Sequence, residues 1–266
     1  SITEGETVSF TDQSTNTPTS WSWGFGDGST STSEDPTHVY SSAGIYTVVL
    51  TVTNSYGLDT ETKTDYITVT TGGTGANDVQ NPTTGQIWMD RNLGASQVAT
   101  SSTDAAAYGD LYQWGRAADE HESRTSGTTT TLSTTDSPGH SDFITINSSL
   151  YDWRSPQNDN LWQGVNGTNN PCPSGYRLPT EAEWEAELTS WSSNNADGAF
   201  ASSLKLPVAG SRSYSSGSLL NVGSSGHYWL STVDGNRSRD LNFYSSNVYM
   251  YSNNRANGYS VRCLKD

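Results

Sequence analysis

The chain has 266 residues, which suits two domains at the usual ~100–200 residues each, and a formal charge of −15 with one basic residue, Lys63, in its first seventy. Phosphate backbones would be repelled by such a chain, which argues against nucleic acid as a partner. Its 25 glycines, 14 tyrosines and 9 tryptophans stand among long Ser/Thr/Asn runs, as in extracellular β-rich or loop-rich proteins, and no stretch approaches the ~20 apolar residues of a membrane span.

Residues 1–12 carry neither a basic start nor an apolar signal segment, so the expectation is a removed export signal or an excised fragment. From there to residue 71 short alternating segments recur between turns, at 7–10, 20–23, 44–53 and 63–70, without helical periodicity. The pattern predicts a small β-sandwich. Its longest segment sets Tyr46, Val48, Leu50 and Val52 against Thr47, Val49, Thr51 and Thr53, as a central strand would. WSWGFGDG at 21–28, PTHVY at 36–40, GIYTV at 44–48 and LTVTN at 50–54, taken in that order, resemble the PKD domain, an immunoglobulin-like sandwich of secreted proteins. The resemblance runs through nearly all of 1–71 and implies a spacer. Gly24 stands where the family usually has Asp, and no first strand is evident before Thr7. Asp27, between Gly26 and Gly28, reads as a turn carboxylate accepting backbone N–H groups; structural calcium is possible there but not indicated, since no further acidic cluster accompanies it. Residues 72–76 belong to a Gly-rich, uncharged linker.

In residues 77–266 two helices are expected. One is capped by Asp104 and runs through Ala105, Ala106 and Ala107 towards Leu111, Tyr112 and Trp114; the other spans 181–191 behind a Thr180/Glu183 capping box, with Trp184 and Trp191 in the core. The polar run 124–142 should be a surface loop, and Tyr151, Trp153 and Trp162 should pin the aperiodic stretch 147–169 to the core. The only cysteines, Cys172 and Cys263, match no zinc spacing; an even pair in a secreted-looking chain favours a disulfide, with two free buried thiols as the alternative.

Within 228–266, Leu241 and Phe243 alternate with Asn242 and Tyr244, and Val248 and Met250 alternate with Tyr249 and Tyr251. That is a β-hairpin with an apolar inward face and an outward face of Tyr and Asn. Tyr among Ser and Asn suits an adaptable binding surface, although an ordinary solvated hairpin has the same alternation. Tyr228, Trp229, Arg237 and Arg239 are candidate anchors of types that dominate binding hot spots, Trp229 being the one expected to be buried.

Four further segments, IWMDRNLG at 87–94, YGDLYQWGR at 108–116, PCPSGYRLPT at 171–180 and GYSVRC at 258–263, resemble the bacterial major paralogous (FISUMP) domain. That domain is similar to the formylglycine-generating-enzyme branch of the C-type lectin fold. The implied fold class is mainly β with an α+β second domain: an immunoglobulin-like sandwich followed by a C-type lectin fold. The Asn-rich region ending in NGYSVRCLKD resembles the variable proteins of diversity-generating retroelements, in which template adenines are miscopied so that Asn codons change. The resemblance implies a variable region at about 211–259. It makes Ser211, Ser213, Leu220, His227, Leu230, Asp234, Tyr244, Tyr249, Tyr251 and Ser252 candidate diversified contacts, with Asn236, Asn242, Asn253 and Asn254 as unchanged positions. Arg237 joins them as a ligand-binding residue on chemical grounds.

Catalytic constellations are not found. Only Cys263 lies near the end, where a formylglycine-generating enzyme holds copper with a pair of thiolates. His38, His121, His140 and His227 form no Hx3H or HExxH spacing, and there is no GxSxG elbow. Glu181, Glu183, Glu185 and Glu187 alternate along a helix, where they do not face one another, and read as solvated charge. EPN, QPD and WND sugar motifs are absent. The expectation is a binding protein without enzyme activity or cofactor. It would be extracellular, at a cell surface or phage virion tip, and would engage a protein or glycan on a target cell without membrane insertion. A fixed-specificity lectin or a structural surface protein are the other readings.

Overall fold

A computed structural model describes residues 2–3, 7–41, 44–70, 77–147 and 151–266. The chain forms two compact units, Ser1–Gly75 and Ala76–Asp266, and is mainly β. The expected linker at 72–76 lies outside the described residues.

Seven strands build the first unit: β1 (Ile2–Thr3), β2 (Thr7–Ser9), β3 (Ser20–Gly24), β4 (Thr30–Ser31), β5 (Thr37–Val39), β6 (Gly44–Asn54) and β7 (Gly57–Thr70). They form a sheet in the order β1-β7-β6-β3-β4 and a two-stranded β2-β5 sheet. β6, rich in Val and Thr, is central and pairs on both sides, Leu50 with Trp23 of β3 and with Glu61 of β7. Between the sheets, Phe10, Trp23, Phe25, Tyr40, Val48 and Val69 make the core. One expectation is corrected: a first strand does exist, since Ile2 and Thr3 pair in parallel with Val69 and Thr70. Two residues give too short a run for alternation to register.

The role of Asp27 is visible in its contacts. Oδ1 accepts from the backbone N–H of Ser29 at 2.9 Å, and Oδ2 lies 2.7 Å from Nε2 of His38, whose ring stacks on Phe25. Gly26, at φ +88°, has no room for a side chain, because a Cβ would stand 2.6 Å from the Thr47 carbonyl oxygen. The turn is therefore a structural clasp.

The second unit begins with β8 (Asp78–Gln80), β9 (Ile87–Met89), β10 (Tyr112–Gln113), β11 (Thr128–Thr129), β12 (Phe143–Ile144) and β13 (Tyr176–Arg177). Helices α1 (Glu181–Leu188) and α2 (Ala196–Ala201) follow. After them come β14 (Ser211–Arg212), β15 (Leu219–Leu220), β16 (Gly226–Asp234), β17 (Arg237–Phe243), β18 (Val248–Asn253), β19 (Gly258–Tyr259) and β20 (Leu264–Lys265). The sheets run β10-β19-β14-β15, β13-β20-β9-β8, β16-β17-β18 and β11-β12. The chain end is thus divided among three sheets, with β19 and β20 each inserted between earlier strands. Trp229 sits in one core with Trp114, Trp153, Trp162, Tyr259 and Cys263; Tyr228, Leu230, Leu241 and Phe243 sit in another with Trp88, Trp184 and Trp191.

Much of this unit is irregular, and buried side chains satisfy its backbone. Indole N–H groups of Trp114, Trp153, Trp162 and Trp229 donate to the carbonyls of Leu230, Trp114, Asn169 and Tyr112 at 2.7–2.8 Å. Trp153 and Trp162 therefore pin the 151–169 stretch as expected; residues 148–150 lie outside the described residues. The polar run 124–142 is held as well, because Arg116 donates to the His140 and Asp142 carbonyls and Arg212 to those of Ser123 and Ser126.

Helical expectations needed revision at three points. Asp104 does cap, through Ala106 N–H, but only a 3-10 turn, Ala105–Ala107, follows. Gly109, at φ +65°, ends it, since a Cβ there would meet the Leu93 carbonyl oxygen at 2.2 Å, and Tyr112 then pairs with Tyr259. The Thr180/Glu183 capping box forms, but α1 stops at Leu188, three residues before the buried Trp191. Of its four glutamates only Glu185 is exposed as expected. Glu187 is fully buried and accepts from Asn81 and from Trp191 Nε1; Glu183 pairs with Arg177 and Glu181 with Arg239.

Cys172 and Cys263 are bonded, joining the loop before β13 to the strand end at β20 across 91 positions. Replacing both with Ser should cost the second unit about 4–5 kcal/mol by the chain-entropy argument, read as a lowered midpoint in denaturant unfolding.

Candidate ligand-binding face

β16, β17 and β18 form an antiparallel sheet with β17 in the middle, pairing Tyr228 with Leu241 and Leu241 with Met250. Alternation sends Tyr228, Leu241, Phe243, Val248 and Met250 to one side, where they meet the tryptophans of α1 and the following turn. At the strand ends this side is clamped by charge. Arg239 Nε lies 2.9 Å from Glu181 Oε2, and Nη1 reaches Ser252 Oγ, which in turn bonds Asp234. The inward set proposed from periodicity is therefore the buried one.

The other side carries His227, Trp229, Asp240, Asn242, Tyr249, Tyr251 and Asn253. In register, Asn242 faces His227 and Tyr249, while Asp240 faces Trp229 and Tyr251. Trp229 is buried under the core, but Tyr249 and Tyr251, on the edge strand, are 45% and 55% exposed, with ring centroids 6.0 Å apart and planes at 81°. His227 stacks on Tyr259 at 4.9 Å and meets Tyr244 edge-on at 6.2 Å. The result is a shallow aromatic corner over a polar floor. Burial pushes the Asp240 carboxyl above its ordinary range against the opposing pull of His227 and Asn253, and raises the Tyr259 hydroxyl well above its own.

Of the sequence candidates, the structure brings together His227, Asn242, Tyr244, Tyr249, Tyr251 and Asn253. Leu230 is corrected: it alternates with Trp229 onto the side of Tyr228 and lies in the same core, where it has no exposure. Ser252 and Asp234 belong to the clamp on the opposite side. Asn236 and Arg237 are exposed at the β16–β17 turn, with the Asn236 carbonyl held by Gln157 and the Arg237 guanidinium over the Tyr151 ring. Asn254 follows β18 and accepts from Asn257 N–H in a turn. Ser211, Ser213 and Leu220 lie on the β14–β15 side; Ser211 and Ser213 are nearly buried and Leu220 is exposed. That side connects to the corner through β19 and Tyr259. Among the anchors, Tyr228 is buried with its hydroxyl donating to the Pro207 carbonyl, and Arg239 is taken up by Glu181.

Sequence reasoning missed Asp240 and Tyr259. Asp240 was within reach, since extending the outward set Tyr244, Asn242 by one more period lands on it. Tyr259 had no comparable signal, because its neighbours in space come from remote strands.

Among the described residues, one group could hold a metal by spacing: Asp119, His121 and Glu122, with ligand atoms within 4.8 Å of one another. Both His121 nitrogens are already engaged. Nε2 accepts the Gln113 N–H at 3.0 Å, so Nδ1 carries the proton shared with Asp119 at 2.6 Å. The donor set serves the fold.

Residues 1–69 match the family model of the PKD domain. PKD domains are typically extracellular. No curated protein matches the chain. Among the described residues, no helix is long and apolar enough to cross a membrane.

The two faces should respond differently to truncation. Phe243→Ala should cost about 3–5 kcal/mol, while Tyr249→Ala and Tyr251→Ser should each cost about 1 kcal/mol or less, compared as melting temperatures of the same chain. Equal losses would mean that the tyrosines are packed. A second expectation concerns the foot of the sheet, where Arg255 donates to the Gly235 and Arg237 carbonyls and lies near buried Asp152. Burial pushes the Asp152 carboxyl up to about 6 despite Arg255. With its folded value raised, this group contributes stability below pH ~4 that is lost as pH rises to ~6, amounting to a few kcal/mol. Wild type should therefore lose stability relative to Asp152→Asn over that window in paired urea titrations.

Proposed function

We propose that the chain is a non-enzymatic ligand-binding protein, an adhesin or receptor-binding protein, whose second unit is a C-type-lectin-fold domain presenting the tyrosine face to a protein or glycan on a target cell. Diversification by a retroelement is part of the proposal. The observation that carries it is the division of labour across one sheet: one side is buried and clamped by Glu181 and Arg239, while the edge strand turns half-exposed Tyr249 and Tyr251 outward. Outward residues can change without disturbing the side that holds the strand in place. Rigid tyrosines supply contact area at low entropic cost, and Asn253 and Tyr244 add adaptable polar groups. The extracellular character of the first unit supports a spacer at a cell surface or virion tip. The acidic balance of the chain weighs against nucleic acid.

Sequencing the genomic neighbourhood tests the diversification. The expected finding is a near-copy of the region coding for residues 211–266, rich in Asn codons and beside a reverse transcriptase. Sibling genes should differ at positions 244, 249 and 251 and agree at 241 and 243. Siblings identical at the tyrosines, with no second copy, would instead favour a lectin of fixed specificity.

A further inference from the structure

On the side of the sheet that carries the tyrosines, several buried polar atoms lack hydrogen-bond partners among the described residues: the acceptors Asp240 Oδ2 and Asn242 Oδ1, and also His227 Nδ1 and Ser238 Oγ. Asp240 is fully buried and uses one carboxylate oxygen: Oδ1 accepts from Asn253 Nδ2 at 2.8 Å, while Oδ2 has no hydrogen-bond partner among the described residues. Asn242, two positions along and also buried, donates from Nδ2 to the Tyr244 hydroxyl at 3.1 Å, leaving its Oδ1 without a donor. His227 is tied to Ser225 through Nε2, and its Nδ1 stands 3.8 Å from Asp240 Oδ2, beyond hydrogen-bond range. Burying an acceptor unpaired is unfavourable, and more so for a carboxylate. Two adjacent acceptors are satisfied together by one donor-rich group.

The walls favour the same chemistry. Tyr249 and Tyr251 rise opposite Asn242 and Asp240 in register, with their rings nearly perpendicular, and aromatic faces attract cations.

We propose that this corner selects a cationic group, an ammonium or guanidinium, seated against the Tyr249–Tyr251 pair and bonded to Asp240 and Asn242. The inference rests on the reading of this face as a ligand site and names what it binds. A basic side chain on a protein partner fits that description. Entry needs only rotation of tyrosine side chains on an exposed edge strand, a fast motion. The titratable and charged groups around Asp240 are His227 from β16, Arg239 beside it on β17, Tyr251 from β18, and Tyr244 and Tyr259 beyond. Because a bound cation favours ionised Asp240, affinity should climb with pH through the titration of that carboxyl and level off above it.

The intact chain is titrated with Nα-acetyl-lysine N-methylamide, Nα-acetyl-arginine N-methylamide and the uncharged Nα-acetyl-norleucine N-methylamide, following the tyrosine and His227 ring resonances. One or both cations should give saturable shifts and norleucine none. Tyr251→Leu, a surface change that keeps the fold, should weaken the cation several-fold, and Asp240→Asn by about tenfold or more. Equal shifts with norleucine, or cation binding unchanged in both variants, overturns the proposal. Glycan binding that depends on Tyr249 and Tyr251, with no response to either cation, would overturn the cation assignment yet leave the ligand face standing. If no glycan, protein or cation senses those tyrosines, both readings fall.

Discussion

Irregular backbone cannot be buried unless something bonds its carbonyls, and in the second unit the large side chains do so. Trp114, Trp153, Trp162 and Trp229 each place an indole N–H on a main-chain oxygen, and Arg116, Arg212 and Arg262 do the same with guanidinium groups. Arg262 alone ties Leu204 to Asn92 while fully buried. Such donors combine apolar bulk with a directed polar edge, so one residue both fills the core and closes a loop. Long segments without helix or strand are thereby as fixed as a sheet.

The same device explains how the chain end is used. After β18 the backbone returns between β10 and β14 as β19 and between β13 and β9 as β20, with Cys263 bonded to Cys172 in the latter passage. The last residues are structural keystones for two sheets. The strand just before them, β18, pairs only with β17 among the described residues, which leaves it at the sheet's edge. An edge strand held on one side by hydrogen bonds and beneath by Met250 and Val248 can vary its outward residues at little cost to the rest. Ligand recognition at Tyr249 and Tyr251 follows from that position.

Asp240 gives the face a fixed element among replaceable ones. It sits on the middle strand, where its neighbours are set by pairing on both sides, and its burial raises its carboxyl. Tyrosines above can change in identity while the acceptor below them stays. The first unit has a separate logic, in which Asp27, His38, Phe25 and Tyr40 form a closed clasp at one end of a sandwich and no comparable polar floor is left open among the described residues.

Local information settled a good deal by itself: the sandwich strands, the Thr180/Glu183 cap, the inward set Leu241, Phe243, Val248 and Met250, and the outward tyrosines all follow from side-chain periods and caps, which depend only on near neighbours. The disulfide was favoured by number and setting rather than derived. What the tertiary structure alone decided were features that depend on remote partners. Gly109 ended a helix because the Leu93 carbonyl lies against it, and Glu187 went inside because Asn81 and Trp191 were there to bond it. The placing of Asp240 between Trp229 and Tyr251 across strands is of the same kind. Period two could mark the carboxylate as outward, but only the packing of Trp229 and Tyr259 around it could bury it and leave one of its oxygens unpaired.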